Sequence, residues 1–136
     1  MTTAGAGMAE FRYDAGEHRV KHCWNKPEAD FEKMGAAVVG KCPNTLSKQD
    51  AELLLRDGVP LVREGETYPA RVYAVHEGVI FEAVPTIPGV SYHGYPWRRT
   101  PGRNPIPSHI LSELEQRAVA QGQLRQFKDW MAHHGR

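Results

Sequence analysis

The sequence predicts an α+β fold: a small antiparallel sheet, a short helix in the N-terminal half, a long proline-rich loop and C-terminal helices packed on one face. Three observations predict it. A capped amphipathic segment spans 47–58, two β-branched runs flank a turn at 76–78, and apolar residues recur at helical spacing after 107. The 136 residues suit one compact core. We expect a single domain over 10–136, preceded by a flexible arm over 1–9.

The composition is that of an ordinary globular protein. Hydrophobic residues make up 40% and charged residues 24%, which excludes a disordered or fibrous chain. No apolar run approaches the roughly 18–20 residues needed to cross a bilayer, so we expect no membrane partner. The first residues lack the basic start and the apolar stretch of a secretory signal, and we therefore expect a cytoplasmic protein in a reducing compartment.

The first third of the chain carries weaker local signals. Residues 10–24 fit two short extended pieces around an Asp/Gly turn. Residues 28–34, which follow Pro27, fit one or two helical turns. The apolar run 36–39, bounded by glycines, is typical of a buried strand.

The clearest helix signal begins at Ser47, a residue type that is favoured at the N-cap. Asp50, three residues on, can bond to the amide of the cap residue, as in a capping box. Leu54 and Leu55 share the apolar face. We predict a short helix that ends with Gly58 in a left-handed conformation.

A β-hairpin is predicted next along the chain. Residues 71–75 and 79–84 are rich in β-branched and aromatic side chains. Between them, the segment 76–78 ends in a glycine that can take a positive φ, as tight hairpin turns require.

Residues 85–107 differ in character, because six of the ten prolines fall there. Proline lacks a backbone N–H, so this stretch cannot be helical, and a regular central strand is not expected. The stretch also holds Tyr92, Tyr95 and Trp97, whose rings favour an ordered loop over a free linker.

The C-terminal quarter has helical periodicity. Pro107 and Ser108 open the helix, and Gly122 is expected to break or kink it. The apolar residues that define the helical stripe on either side of this glycine are Ile110, Leu111, Leu114, Ala118, Leu124, Phe127, Trp130 and Met131.

The proline-rich loop concentrates positive charge. It holds three arginines and no carboxylate, so it carries +3 although the whole chain carries only +1. Arginine binds phosphate and aromatic rings stack on bases, so we expect residues 85–103 of this loop to engage RNA or another phosphate-bearing ligand. The candidate ligand-binding residues are Tyr92, Tyr95, Trp97, Arg99 and Arg103.

A catalytic version of this hypothesis is metal-independent RNA cleavage. It needs an acid, a base and a cation at the phosphate, and the candidates are His93, Glu82 and Arg98 respectively. The predicted order of elements, a helix before an antiparallel sheet, resembles that of small microbial ribonucleases and bacterial toxin domains, which use such sets of Glu, His and Arg. The resemblance covers element order alone, and those domains usually end in strands. A structural alternative is that Glu82 faces water, because Phe81 and Ala83 alternate with it.

Two other hypotheses remain open. The same loop and the C-terminal helix fit a non-enzymatic protein-interaction module, such as an adaptor or an antitoxin-like inhibitor, since Tyr, Trp and Arg concentrate binding energy at interfaces. A metal site would use His18, His22, Cys23 and Cys42, but the cysteines lack the tight spacing usual for zinc. We therefore predict no metal and no cofactor, with two buried or half-buried thiols.

Overall fold

A computed structural model describes residues 11–14, 28–34, 37–42 and 46–135. Its strands are β1 (Arg12–Tyr13), β2 (Asp30–Met34), β3 (Ala37–Lys41), β4 (Val59–Leu61), β5 (Arg71–His76), β6 (Val79–Ile87) and β7 (Ser91–Pro96). Its helices are α1 (Lys48–Arg56), α2 (Ser108–Ala120) and α3 (Leu124–His134). The predicted α+β class is confirmed. Within the described ranges, none of the helices has the length and apolar character that a membrane span requires.

The main sheet has five strands in the order β1-β7-β6-β5-β4. The three pairings from β7 to β4 are antiparallel, while the short β1 joins the other edge of β7 in parallel. Strands β2 and β3 form a separate antiparallel pair. The sheet is therefore a meander from β4 to β7, built by consecutive chain segments.

Helices cover both faces of the main sheet, which explains why four consecutive residues of β5 are buried. On one face, Leu55 of α1 packs with Val72 and the fully buried Tyr92. On the other face, α2 and α3 pack on a larger core that includes Tyr73, Val75, Ile80, Ile110, Leu114, Phe127 and Trp130. The two C-terminal helices thus share one face.

The predicted helix after Ser47 is confirmed, together with its capping box. The amide of Asp50 donates to Ser47 Oγ at 3.0 Å, and the amide of Ser47 donates to Asp50 Oδ2 at 3.1 Å. The expected left-handed exit at Gly58 is wrong, because its φ is not positive. Glycine serves close approach instead, since a Cβ at this position would meet the Val72 side chain and lie 3.0 Å from the Leu54 carbonyl oxygen.

The predicted hairpin is confirmed as β5 and β6. Its two turn residues, Glu77 and Gly78, have φ values of 52° and 82°. Positive φ at both central positions is the signature of a type I′ turn, whose twist matches that of the paired strands. The register runs from His76 opposite Val79 back to Val72 opposite Ala83.

Two predictions for the remaining strands are wrong. Residues 28–34 are not helical, because Asp30 to Met34 pair in register with β3. Residues 91–96 form a regular strand despite the prolines nearby, since Pro96 stands at the end of β7 and Pro85 adjoins a register irregularity in β6. Proline is tolerated at such places because no ladder hydrogen bond from its nitrogen is required.

The strand predicted over 36–39 is confirmed as β3, and the C-terminal helices are confirmed with their break at Gly122, where φ is 73°. Several expectations fall outside the described residues: the arm over 1–9, most of 10–24, and His18, His22 and Cys23 of the metal hypothesis. Cys42, the fourth candidate ligand, is 2% exposed.

Candidate functional site

Glu82 is buried, with 2% of its surface exposed, so the expectation that it faces water is wrong. Strand alternation does separate it from Phe81 and Ala83. The face that it shares with Tyr73 of β5 and Tyr95 of β7 is nevertheless the one that α2 and α3 partly cover. The hairpin turn fixes this placement, because its register sets Tyr73 directly opposite Glu82.

Both carboxylate oxygens of Glu82 accept hydrogen bonds. The Tyr73 hydroxyl donates to Oε2 at 2.8 Å, and the Tyr95 hydroxyl donates to Oε1 at 2.6 Å. Two guanidinium groups complete the cluster, with Arg71 Nε 3.4 Å from Oε2 and Arg103 Nη2 3.5 Å from Oε1. A buried carboxylate is tolerated only when it is paired and hydrogen-bonded in this way.

The cluster keeps both phenols protonated. Burial is the largest cause that raises the pKa of Tyr73 and of Tyr95, and the neighbouring Glu82 carboxylate raises both further. The two hydroxyls therefore act as hydrogen-bond donors throughout the physiological pH range. Glu82 in turn positions Arg71 and Arg103, whose side chains remain 26% and 48% exposed.

An open cleft of about 440 Å³ lies beside this cluster. Three guanidinium groups line it, from Arg63, Arg71 and Arg103, and no carboxylate is among the described residues that line it. The other lining residues are Leu61, Tyr73, Gly102, Asn104, Pro105 and Pro107. We call this feature the arginine cleft. Its positive lining suits an anion.

The N-terminus of α2 adjoins the arginine cleft through Pro107. This helix has no side-chain N-cap hydrogen bond and no acidic residue in its first turn. Its first amide hydrogen bonds to Pro107 O come from Ile110 and Leu111. An uncapped helix N-terminus carries partial positive charge, which adds to that of the arginines.

His93 lies on the same face as Glu82 but two pairs further along the ladder, opposite Val84. Its Nδ1 is 2.7 Å from Thr86 Oγ1, and its ring centroid is 6.4 Å from that of Tyr95. Among the described residues, no hydrogen bond joins His93 to Glu82. The predicted acid and base are thus close but not in contact, and the catalytic roles of both stay predictions.

Tyr92 and Trp97, two of the candidate ligand-binding residues, are buried. Tyr92 packs on the α1 face and donates its hydroxyl to Pro69 O at 2.7 Å. Trp97 belongs to the larger core, where its carbonyl accepts a hydrogen bond from Trp130 Nε1 at 3.1 Å. Neither ring is presented to solvent in this structure.

The three arginines of the loop separate in space. Arg103 lines the arginine cleft, whereas the Arg98 guanidinium lies over the Phe31 ring, 5.6 Å from its centroid. Arg99 stabilises the segment that joins Arg98 to Arg103. Its Nη1 donates to Arg103 O at 2.8 Å, and its amide donates to His134 O at 2.6 Å, which ties the segment to the last turn of α3.

The apolar stripe of α3, considered above as a partner surface, is used within the chain. Phe127 and Trp130 are buried in the larger core, and Met131 packs against it. With Tyr92 and Trp97 buried as well, the described residues present none of these rings as an exposed interface anchor.

Sequence reasoning missed Arg63, Arg71 and Tyr73. For Tyr73 and Arg71 a usable signal was present, because counting back from the two-residue turn places Tyr73 opposite Glu82 and Arg71 on the same face. Arg63 lies in the connection between β4 and β5, and no local pattern indicates which way that connection folds.

No protein-family model matches this chain, and the searches of curated proteins and of solved structures give no match either.

Proposed function

We propose that this protein binds a phosphate-bearing ligand at the arginine cleft, with single-stranded RNA as the first candidate. One observation carries the proposal: Arg63, Arg71 and Arg103 line one cleft, while the described residues that line it include no carboxylate. Guanidinium groups match phosphate oxygens in charge and in geometry, so this grouping favours a phosphate over other anions.

The arginines have donors to spare for a ligand. Among the described residues, Glu82 is the single carboxylate paired with Arg71 and Arg103, and it contacts one nitrogen of each. A guanidinium has five N–H donors, so most of them remain available. The Arg63 side chain makes no hydrogen bond or ion pair with the described part of the chain and is exposed.

Tyr95 and His93 supply half-buried rings near the Glu82 cluster, where an unstacked base could pack. Of the other residues predicted to bind ligand, Arg103 belongs to the cleft, and Arg99 supports the segment that carries it. Tyr92, Trp97 and Arg98 have no place in this proposal, because the first two are buried and the third contacts Phe31.

The proposal stops at binding. A general base must reach the proton that it removes, and both oxygens of Glu82 are already occupied by hydroxyl and guanidinium donors. We assign Glu82 the role of positioning Arg71 and Arg103, in place of the base role considered in the sequence analysis.

The test is anisotropy of labelled single-stranded RNA in EDTA. We expect the Arg63→Gln/Arg103→Gln variant to lose about tenfold or more in affinity, since each charge-assisted contact contributes about 1.5–3 kcal/mol. Arg125→Gln, at an exposed arginine on α3, is the matched control. Equal affinity for the wild type and the double variant contradicts the proposal. A gel of the same RNA, with His93→Ala in parallel, shows whether cleavage accompanies binding.

A further inference from the structure

We infer that the arginine cleft recognises a terminal phosphate, a phosphomonoester, in preference to the phosphodiesters within a nucleic-acid chain. The inference rests on the proposed function and narrows it to one chemical group. That group occurs at the end of a phosphorylated RNA and on small phosphorylated molecules such as nucleotides.

The charge of the cleft favours a phosphomonoester over a phosphodiester. The three arginines of the cleft carry three positive charges and the Glu82 carboxylate beneath them carries one negative charge, which leaves a formal balance of +2. A phosphomonoester carries about −1.5 to −2 at pH 7, whereas each phosphodiester carries a single charge. The exposed Glu64 and Glu66 of the nearby connection do not line the cleft. The terminal group is therefore the better charge match.

The size of the cleft also favours a single terminal phosphate. The volume of about 440 Å³ lies within the range of about 300–1,000 Å³ that is typical of small-molecule pockets. Leu61, Tyr73, Pro105 and Pro107 are among the residues that line the cleft. A groove that follows a strand through contacts to about four or more nucleotides is longer. This compact cleft suits one phosphate with its attached sugar.

The arrangement of hydrogen-bond donors around the cleft favours a terminal phosphate as well. Glu82 holds Arg71 and Arg103 from below, at 3.4 and 3.5 Å, so two guanidiniums are positioned before any ligand arrives. Asn104 adds an amide to the lining, and the uncapped N-terminus of α2 adjoins it at Pro107. A terminal phosphate has three non-bridging oxygens and can use donors from several directions, whereas a diester offers two.

The experiment compares two RNA octamers of one sequence, with a 5′-phosphate or a 5′-hydroxyl, by anisotropy with the full chain. We expect the phosphorylated octamer to bind at least about tenfold more tightly. Equal, measurable binding of both overturns this inference and leaves the proposed function standing. Absence of binding by both overturns the inference and the proposed function together.

Competition distinguishes the two sources of the group. Adenosine monophosphate, but not adenosine, should displace the phosphorylated octamer. If adenosine monophosphate binds as tightly as the phosphorylated octamer, the ligand of the cleft is a small phosphorylated molecule. If the octamer binds more tightly, the ligand is the phosphorylated end of an RNA. Both results require the terminal phosphate. Equal competition by adenosine and its monophosphate overturns the inference.

A variant links the preference to the cleft. Arg63→Gln should reduce the discrimination between the two octamers to about threefold or less, while Arg125→Gln should retain it. Arg63 is exposed and its side chain makes no hydrogen bond with the described residues, so the variant should keep the fold; circular dichroism checks this. Discrimination that survives unchanged in the Arg63 variant contradicts this assignment.

Discussion

At the scale of single residues, Glu82 shows how one buried charge organises its surroundings. The carboxylate joins side chains from β5, β7 and the segment that follows β7, and it uses all of its acceptor positions to do so. Removing a donor leaves one acceptor position of a buried oxygen unsatisfied, whereas an exposed hydroxyl can be lost at little cost.

Tyr73→Phe should accordingly lower the free energy of unfolding by about 1.5–3 kcal/mol, because its hydroxyl donates to a charged, buried acceptor. Urea denaturation followed by circular dichroism measures the change. Tyr68→Phe is the control, since the Tyr68 hydroxyl has no hydrogen bond to the described residues, and we expect a change within about 0.5 kcal/mol. Similar values for the two variants would show that the hydroxyl of Tyr73 contributes nothing special.

His134 gives a prediction about pH. Its ring centroid is 4.1 Å from that of Trp130, and burial lowers its pKa below 6.5, a shift that Asp30 opposes and that His133 and Arg98 reinforce. The unfolded chain therefore takes up this proton at a higher pH than the folded protein does. The stabilisation is complete above pH 6.5 and is lost as pH falls through the lower pKa of the folded state.

We expect stability to decline from pH 7 to pH 5 more steeply in the wild type than in His134→Gln. Thermal denaturation of both proteins across this range measures the difference, and NMR titration of the His134 ring locates the pKa directly. Parallel stability curves, or a ring that titrates at or above pH 6.5, would remove His134 as the cause.

At the scale of elements, Gly78 couples the hairpin to α3. Its φ of 82° requires glycine, and a Cβ there would lie 2.7 Å from the Phe127 nitrogen of the helix. Gly65 has an equivalent φ of 84°, but no atom of the described residues lies within 4 Å of its Cβ position. A comparison of alanine substitutions at Gly65 and Gly78 therefore separates the cost of backbone strain from the cost of disturbed helix packing.

Gly65→Ala should cost about 1–2 kcal/mol, the usual penalty for a left-handed alanine. Gly78→Ala should cost about 1–3 kcal/mol more, because the added methyl forces α3 away from the turn. Any effect on the unfolded chain is the same for both substitutions and cancels in the comparison. Equal losses in urea denaturation would mean that α3 does not pack tightly against the turn.

The elements also differ in how far sequence alone could predict them. The capping box at Ser47 and the turn at Glu77 and Gly78 are local signals, complete within a few residues, and both are confirmed. β2 and β7 were missed because pairing with β3 and β6 determines their conformation, and local propensity does not reveal a partner strand. The structure brings together Glu82, Tyr95 and Arg103, three of the eight candidate residues named from the sequence, while their functional roles stay predictions. Contact across 21 residues, which no local pattern reveals, determines the partners of Glu82.

At the scale of the whole molecule, the small net charge of +1 conceals a separation of charge. The arginine cleft is positive. Another groove, between the β5–β6 turn and α3, is lined by four carboxylates, from Glu28, Asp30, Glu77 and Asp129. Long-range attraction to a polyanion is therefore weak, and the proposed binding would depend on contacts made within the cleft itself.

This distribution predicts a shallow dependence of RNA binding on salt. With one terminal phosphate of about −1.5 to −2 in the cleft, the slope of log K against log[salt] should be about −1 to −1.4, since each neutralised charge of a single strand contributes about −0.7. Affinities measured at several potassium chloride concentrations give the slope. A value of about −4 or steeper would indicate contacts along an extended strand and contradict a compact site.

The bond from the Arg99 amide to the His134 carbonyl has a consequence for how the molecule responds to a ligand. The segment that follows β7 carries both Arg103, which lines the cleft, and Arg99, whose amide bonds to the last turn of α3. One short segment therefore connects the cleft to the end of α3. For the proposed ligand, we expect occupancy of the cleft to restrain that segment and to slow the local openings that expose the Arg99 amide to solvent. By thermodynamic linkage, we then expect firmer docking of the last helical turn to favour the occupied cleft to the same degree.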